Sequence, residues 1–215
     1  MRICSPNMSS TSPAVAACAG ADLHTVHPRV SLGAGCYWGT EKHVQKIFNE
    51  KLVPGSVKES AVGFMHPSAT ASPDPSYRDV CSGRTGFVEV LDVEMVDNSE
   101  EAFEKLCKYF FAFHDPTTID QQGNDRGSQY GSVIFTYDDR QAEIANHVKQ
   151  EVQGMIDSGI ITNYVGPKVV TAITPATTFY AAEQEHQEYL AKNPGGYCNH
   201  YERFQWNWDH PVSKL

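Results

Sequence analysis

"RVSLGAGCYWGTEKHVQKIF", residues 29–48, changes from the periodicity of a strand to that of a helix. Its first seven residues alternate in polarity, which predicts a short strand. After it, Trp38, Val44 and Phe48 recur at the spacing of one helix face. Cys36 therefore stands where a strand gives way to a helix, and we expect it to begin that helix.

Working outward, the same periodicities predict the other elements of the domain. Strands are expected at "SVKESAVGF" (56–64), "GFVEVLDVEMV" (86–96), "YGSVIFTY" (130–137) and "KVVTAIT" (168–174). Helices are expected over residues 99–113, capped by Asn98 or Ser99, over 138–158, and at "TFYAAEQEHQEYL" (178–190). Strands and helices mix without strict βαβ alternation, which favours an α+β, two-layer sandwich of helices packed on a mixed sheet.

Length and charge set the domain organisation and exclude several partners. The 215 residues predict one catalytic domain, residues 29–190, followed by a C-terminal tail, 191–215. A net charge of −9 argues against nucleic acid and anionic membranes, and no apolar run reaches the ~20 residues of a membrane span. Residues 1–28 are rich in Ser, Ala and Pro with a single arginine, so we expect a disordered leader on a cytoplasmic protein, with organelle import as the alternative.

The cysteines point to thiol chemistry rather than to a metal or a disulfide framework. None of the six forms a C-x-x-C pair of the kind that binds zinc, and the single E-x-x-H pair at 183–186 is too little for a di-iron site. At Cys36, unpaired amides of the first helical turn would stabilise a thiolate. We expect Gly33 and Gly35 to let a substrate approach closely.

Two further features suggest what Cys36 acts on. Tyr37 and Trp38 would place an apolar wall beside the thiol, which suits a small, weakly polar group. Glu89 is the lone carboxylate among apolar residues that alternate along its predicted strand. Burial there would raise its pKa and keep it protonated, as a general acid requires.

At Cys36 the sequence resembles the A-type peptide methionine sulfoxide reductases, whose signature G-C-[FY]-W-G matches residues 35–39. The resemblance continues in family order over residues 29–198, through "YRDVCSGRTGFVEV", "HDPTTIDQQGNDRGSQYGSVIF", "TAITPATTFYAAEQEHQEYL" and "NPGGYC". The expected form of the α+β fold is then a ferredoxin-like core with long coil segments.

The resemblance implies a role for each matching residue. Cys36 would attack the sulfur of a methionine-S-sulfoxide, free or in a protein, while Glu89 protonates the leaving oxygen. Hydroxyls of Tyr77 and Tyr130 would hold that oxygen, and Asp125 would contact the substrate. These roles, with Tyr37 and Trp38 lining the pocket, make up the predicted active site.

The implied cycle ends with recycling of the oxidised enzyme. Cys36 would be left as a sulfenic acid, which Cys198, in the glycine-rich "NPGGYC" loop, would convert to a disulfide. Cys81 and Cys107 look buried. The resemblance implies thioredoxin as reductant, replaced by dithiothreitol in vitro, with no bound cofactor; we expect a monomer.

Some positions depart from the family pattern, and two other functions stay open. Phe87 stands where the family commonly has His, Gln121 and Gly131 replace Arg, and Arg126 replaces a small apolar residue. One alternative function is a cysteine hydrolase using Cys36 with His186 or His114. The other is a non-enzymatic binder of oxidised methionine.

Overall fold

A computed structural model describes residues 24–69 and 75–208 of the chain. The strands are β1 Arg29–Ala34, β2 Val57–Met65, β3 Val88–Met95, β4 Gln121–Gln122, β5 Asp125–Arg126, β6 Ser132–Thr136, β7 Ala172–Pro175 and β8 Phe179–Ala181. The α-helices are α1 Tyr37–Lys42, α2 Tyr77–Cys81, α3 Glu100–Phe113, α4 Asp139–Asp157 and α5 Tyr189–Lys192. A π-helix, His43–Leu52, continues α1, and a 3₁₀ turn spans Ser128–Tyr130.

The main sheet has the strand order β7-β6-β1-β3-β2-β8. Its four central strands pair antiparallel, with helical segments after β1 and after β3. In chain order these strands lie 4-1-3-2, which is the ferredoxin-like arrangement. Because β7 joins β6 in parallel, the sheet is mixed. The predicted α+β sandwich is confirmed.

Local capping sets the two long helices that cover the sheet. Ser99 Oγ accepts a hydrogen bond from the Ala102 amide at 3.2 Å, which begins α3, and Asp138 Oδ1 accepts from the Gln141 amide at 2.7 Å, which begins α4. Both predicted helices are confirmed within one residue at each end. Their apolar faces and the inner face of the sheet form one core, to which α3 contributes Phe103, Leu106, Cys107, Phe110 and Phe111.

The predicted helix over residues 178–190 is wrong. Residues 179–181 form β8, which pairs with the edge of β2, and Glu188 takes a left-handed φ of 56° before the short α5. The spacing of apolar residues fits a helix, but the backbone N–H and C=O groups on the edge of β2 need hydrogen-bond partners. Strand β8 supplies them, and this tertiary pairing overrides the local preference. The predicted strand at 168–174 is also shorter, since only residues 172–175 pair with β6.

The ends of the described chain lie against the body. Of the predicted leader, residues 1–23 lie outside the described residues, but Val26 is buried and its amide donates to Asn98 O at 2.9 Å. Of the predicted tail, residues 209–215 lie outside them, and Trp206 Nε1 donates to Lys108 O at 2.6 Å. Within the described ranges, no helix has both the length and the apolar character that crossing a bilayer requires.

Candidate active site

Cys36 lies at the N-cap of α1, directly after the central strand β1. Its thiol is half-buried and free, and the amides of Trp38 and Gly39 point at its sulfur. Those amides favour the thiolate, but burial, together with the charges of Glu89 and Asp125, outweighs them and raises the pKa of Cys36. The predicted stabilisation of the thiolate by the first-turn amides is thus present, but burial outweighs it in the free protein.

Glu89 lies on β3 and is 2% exposed. The amide of Tyr37, the residue after Cys36, donates to Glu89 Oε2 at 3.1 Å. Burial raises the pKa of Glu89 to about 8, even though the Tyr37 amide favours the charged form. As the alternation along β3 predicted, the protein holds a protonated carboxyl group beside its thiol at neutral pH.

The two groups are electrically linked. A negative charge on Glu89 is the second largest cause that raises the pKa of Cys36, after burial. When Glu89 carries its proton, that charge is absent and Cys36 ionises more readily. A protonated Glu89 and a thiolate at Cys36 therefore support each other, and this is the combination that an acid-assisted nucleophilic attack needs.

Trp38 forms an aromatic wall next to the thiol. Its half-buried ring stacks on Tyr189 with centroids 3.9 Å apart, and on His186 at 5.7 Å. Tyr37, by contrast, is 1% exposed and packs on Phe64 at 5.8 Å. Tyr37 therefore forms part of the core beneath the site, and Trp38 alone of these two supplies the wall predicted from the sequence.

Tyr77 and Tyr130 reach the same site from two other segments. Tyr77 is the first residue of α2, its hydroxyl is hydrogen-bonded to the Cys81 thiol, and its ring lies 4.3 Å from that of His186. Tyr130 ends the 3₁₀ turn that precedes β6. Partial burial, together with the Glu89 charge, raises the pKa of both hydroxyls, so both remain neutral donors.

Asp125 joins the site to the C-terminal loop. Asn199 Nδ2 donates to Asp125 Oδ2 at 2.9 Å, and the Tyr197 hydroxyl also hydrogen-bonds that carboxylate. Burial raises the pKa of Asp125, and both hydrogen bonds oppose the shift. Because Tyr197 and Asn199 flank Cys198, their bonds to Asp125 hold the half-buried Cys198 thiol at the edge of the site.

His200 anchors that loop on its other side. Its Nε2 donates to Ala34 O at 2.5 Å, and its ring lies where a Cβ on Gly39 would collide with it. The sequence analysis did not single out Tyr197, Asn199 or His200, although all three adjoin Cys198 in "GYCNHY". Their position next to a proposed resolving thiol is the signal that could have found them.

The glycines before Cys36 serve packing. A Cβ at Gly33 would lie 2.7 Å from Val133 Cγ1, and one at Gly35, whose φ is +88°, would collide with Gln122. Both faces of the turn are thus filled by protein. The expectation that these glycines open the way for a substrate is wrong.

The other thiols and histidines occupy different settings. Cys107 is fully buried, as expected, but Cys81 is half-buried and senses the Glu89 charge, so the prediction that it is buried is wrong. His114 is buried with Nδ1 donating to Phe110 O and Nε2 bonded to Ser132 Oγ. His114 is therefore fully used by the core and cannot serve as a base for Cys36.

The departures from the family pattern are absorbed locally. Arg126 and Gln121 pair across the β4–β5 hairpin, and Arg126 Nη1 donates to Gln121 Oε1 at 2.8 Å. The positive charge is thus still present in this hairpin, on the opposite strand. Phe87 is buried and its ring packs in a T-shaped arrangement with that of His66, and Gly131 borders a cavity of about 370 Å³.

The raised pKa of Glu89 predicts a stability gain when its ionisable carboxyl group is replaced by a neutral amide. Between its ordinary pKa of 4.5 and about 8, folded Glu89 keeps a proton that the unfolded chain releases, so stability falls as pH rises through this window. Glu89→Gln should raise the free energy of unfolding at pH 7 by about 1 to 3 kcal/mol, and change it little at pH 4.

Urea unfolding at the two pH values measures this effect. Glu94→Gln is the matched control, because Lys58 and Arg29 hold the pKa of Glu94 below its ordinary value and removal of this carboxylate should give no gain. Equal effects of the two variants at pH 7 would contradict the description of Glu89.

Comparisons with known proteins agree on one family. The model of the peptide methionine sulfoxide reductase family matches residues 28–209. A probable peptide methionine sulfoxide reductase of Schizosaccharomyces pombe is 40% identical over 177 residues, covering 82% of this chain and 95% of the relative. Peptide methionine sulfoxide reductase MsrA of Polynucleobacter asymbioticus is 44% identical over 171 residues, covering 79% and 80%.

Solved structures give the same result. Reduced Mxr1 of Saccharomyces cerevisiae superposes with a TM-score of 0.68 at 34% identity, covering 85% of this chain and 98% of the other. Methionine sulfoxide reductase A of Corynebacterium diphtheriae gives 0.63 at 32% identity, covering 82% and 79%.

Proposed function

The chain belongs to the peptide methionine sulfoxide reductase family, and we propose that it reduces methionine-S-sulfoxide, free or in proteins, with the thiol of Cys36. The observation that carries this proposal is the buried Glu89, held 3.1 Å from the amide of the residue after Cys36 and with a pKa of about 8. A thiol beside a neutral carboxylic acid suits cleavage of an S–O bond.

The proposed chemical step transfers the sulfoxide oxygen to the sulfur of Cys36. The Cys36 sulfur attacks the electrophilic sulfur of the sulfoxide, and Glu89 donates a proton to the sulfoxide oxygen. The S–O bond of the substrate and the S–S bond formed by the attack then break: the protonated oxygen passes to the Cys36 sulfur, and the electron pair of the S–S bond stays on the methionine sulfur. Methionine leaves with its sulfur reduced, and Cys36 is oxidised to a sulfenic acid.

The surrounding side chains fit the shape and polarity of a methyl sulfoxide. The neutral hydroxyls of Tyr77 and Tyr130 can donate to its oxygen, while the Trp38 ring offers an apolar surface for its methyl group. Asp125 holds Tyr197 and Asn199 at the entrance. The two tyrosines thus contact the sulfoxide oxygen, Trp38 contacts the methyl group, and Asp125 positions the neighbouring loop.

Recycling is proposed to pass through Cys198. Its thiol attacks the Cys36 sulfenic acid, forming a disulfide and releasing water. Residues 193–197 are mostly exposed and contain Gly195 and Gly196, whereas His200 is anchored on Ala34. The loop can therefore bend before Cys198 while its far end stays fixed.

Thioredoxin is the proposed reductant of that disulfide, with dithiothreitol able to replace it in vitro and no bound cofactor required. The proposal extends to a monomer acting in the cytoplasm. A net charge of −9 supports a freely dissolved chain, and sedimentation of the full-length protein together with cell fractionation tests both points.

The test of this function is a thiol titration combined with methionine analysis. Addition of one equivalent of methionine-S-sulfoxide to reduced protein should produce methionine and remove two thiols per chain. A cysteine hydrolase would consume a thioester without loss of thiols, and a binder would produce no methionine. Either result would overturn the proposal.

Replacement of the resolving thiol should separate chemistry from recycling. In Cys198→Ser, thioredoxin-driven turnover should be largely lost because no disulfide forms, whereas dithiothreitol can reduce the sulfenic acid directly and should sustain activity. Steady-state assays with each reductant measure this, with Cys81→Ser as the matched control expected to use both. Undiminished thioredoxin-driven turnover in Cys198→Ser would remove Cys198 from the cycle.

A further inference from the structure

A cavity of about 760 Å³ lies beside the active site and has no part in the proposed chemistry. The π-helix forms one wall, the segment that contains α5 forms the other, and β2 forms the floor with Ser60 and Ala61. We refer to this cavity as the edge groove, because its floor is the unpaired part of an edge of the main sheet.

The pairing of β2 shows why this edge is open. β8 pairs only with residues 63–65 of β2. The Val62 amide and carbonyl point the same way as that pairing, and they are satisfied by the Gln187 side chain, at 2.9 Å each, and by the Ala182 amide at 3.0 Å. The Gln187 amide group thus already occupies the edge as a peptide group would.

Ser60 continues the same edge without a partner. In a strand, residues two apart direct their amide and carbonyl to the same side, so the Ser60 groups face the groove as those of Val62 do. No hydrogen bond to the Ser60 amide or carbonyl is present among residues 24–69 and 75–208, whereas its hydroxyl accepts from Gln45 Nε2 at 2.7 Å. One backbone donor and one acceptor therefore face a cavity wide enough for a chain.

We propose that the edge groove binds the main chain of an extended polypeptide substrate on one side of its methionine sulfoxide, as a short strand added at Ser60. This inference rests on the proposed function, since it concerns the protein substrates of the same site. An open strand edge recognises a polypeptide through its main chain and places few demands on its sequence.

The position of the groove joins it to the nucleophile. Glu41, which lines the groove, follows Trp38 by three residues, or about 5 Å along a helix. Its carboxylate accepts from the Glu188 amide at 3.0 Å, which fixes the segment whose Tyr189 stacks on Trp38. Glu188 and Leu190, which line the groove, flank the Tyr189 ring that stacks on Trp38, so a few extended residues can reach from the groove to the Trp38 wall.

The charges lining the groove are consistent with a site that binds the main chain of a peptide and does not select for side-chain charge. The lining carries three lysines and four glutamates, so charges of the two signs are nearly balanced. Lys46 also pairs with Glu50 at 2.6 Å, and Lys58 pairs with Glu94 at 2.6 Å. Neither an acidic nor a basic peptide is selected by such a lining. An enzyme that repairs oxidised methionine in many sequences needs this tolerance.

The test compares a peptide with free methionine sulfoxide on two variants of one residue. Ser60→Pro removes the outward amide without loss of a bond to β3, and Ser60→Ala removes only the hydroxyl. For a capped peptide of about eight residues with a central methionine sulfoxide, Ser60→Pro should lower kcat/KM about five- to tenfold, the effect of one or two lost backbone hydrogen bonds. Ser60→Ala should not lower it, and both variants should reduce free methionine sulfoxide at the wild-type rate.

The outcomes separate the groove from the proposed function. If free sulfoxide is reduced but Ser60→Pro has the wild-type kcat/KM for the peptide, the groove inference is wrong and the proposed reductase function is unaffected. If neither substrate is reduced by the wild type, the function itself fails. If the wild type sediments as a dimer and Ser60→Pro as a monomer, the edge joins two copies and the inference is wrong.

A second measurement does not depend on the fold of a variant. Peptides N-methylated at successive backbone positions on each side of the sulfoxide should lose kcat/KM at alternate positions on one side only, because a bound strand turns every second amide toward its partner. A uniform response, or none, would overturn the inference.

Discussion

Replacement of Cys36 with serine is expected to abolish methionine sulfoxide reduction with either thioredoxin or dithiothreitol. A serine hydroxyl is a poor nucleophile toward sulfur and cannot carry the oxidised state to a disulfide. Serine differs from cysteine by one atom and is a favoured N-cap residue, so the fold and the melting temperature should be retained. Methionine formation in a steady-state assay measures the activity, and circular dichroism checks the fold.

The matched control is Cys81→Ser. Cys81 is also half-buried and also senses the Glu89 charge, but it does not lie at the start of α1. It should keep most of the activity. A folded Cys36→Ser protein with even a tenth of the wild-type rate would contradict the assignment of the nucleophile.

Glu89→Gln is expected to lower the rate of the chemical step by ~10²–10⁴, the usual contribution of a general acid. Glutamine keeps the size of the side chain and can still accept from the Tyr37 amide, so substrate binding should change little. Single-turnover methionine formation, with kcat and KM determined separately, measures this loss.

The pH dependence gives an independent readout. Because the pKa of Glu89 is about 8, the wild type should lose its acid, and with it rate, as pH rises above 8. Glu89→Gln should lack this alkaline limb, while Glu94→Gln, on the same strand but paired with Lys58, should keep both the limb and the rate. If the rate of Glu89→Gln at neutral pH falls less than threefold, Glu89 is not the general acid. Tyr77 and Tyr130 are then the next candidates for the proton donor.

Local sequence patterns were sufficient to predict those parts of the site that depend on a single helix or strand. The strand-to-helix change at Cys36 followed from periodicity, and the burial of Glu89 followed from its place in an apolar strand. Both are properties of a short stretch and of the core that it faces. The two long helices were predictable for the same reason, since their caps and faces are local.

Other features depend on contacts between distant segments and could not be read locally. The region 178–190 has helical spacing, yet Tyr180 pairs with Phe64 because the edge of β2 offers backbone partners. Asp125 meets Tyr197 and Asn199 only because the C-terminal loop packs against the β4–β5 hairpin. The net pKa shift of Cys36 could not be predicted from the helix start alone, because burial by the whole fold outweighs the first-turn amides.

Transfer of the substrate oxygen to Cys36 can be followed in a single quenched reaction. Reduced Cys198→Ser protein is mixed with one equivalent of methionine-S-sulfoxide, quenched with a sulfenic-acid reagent, and mapped by mass spectrometry while methionine is counted. We expect one methionine per chain, formed together with the label on Cys36. Methionine formed with the label on another cysteine, or no methionine and no label, would contradict the account.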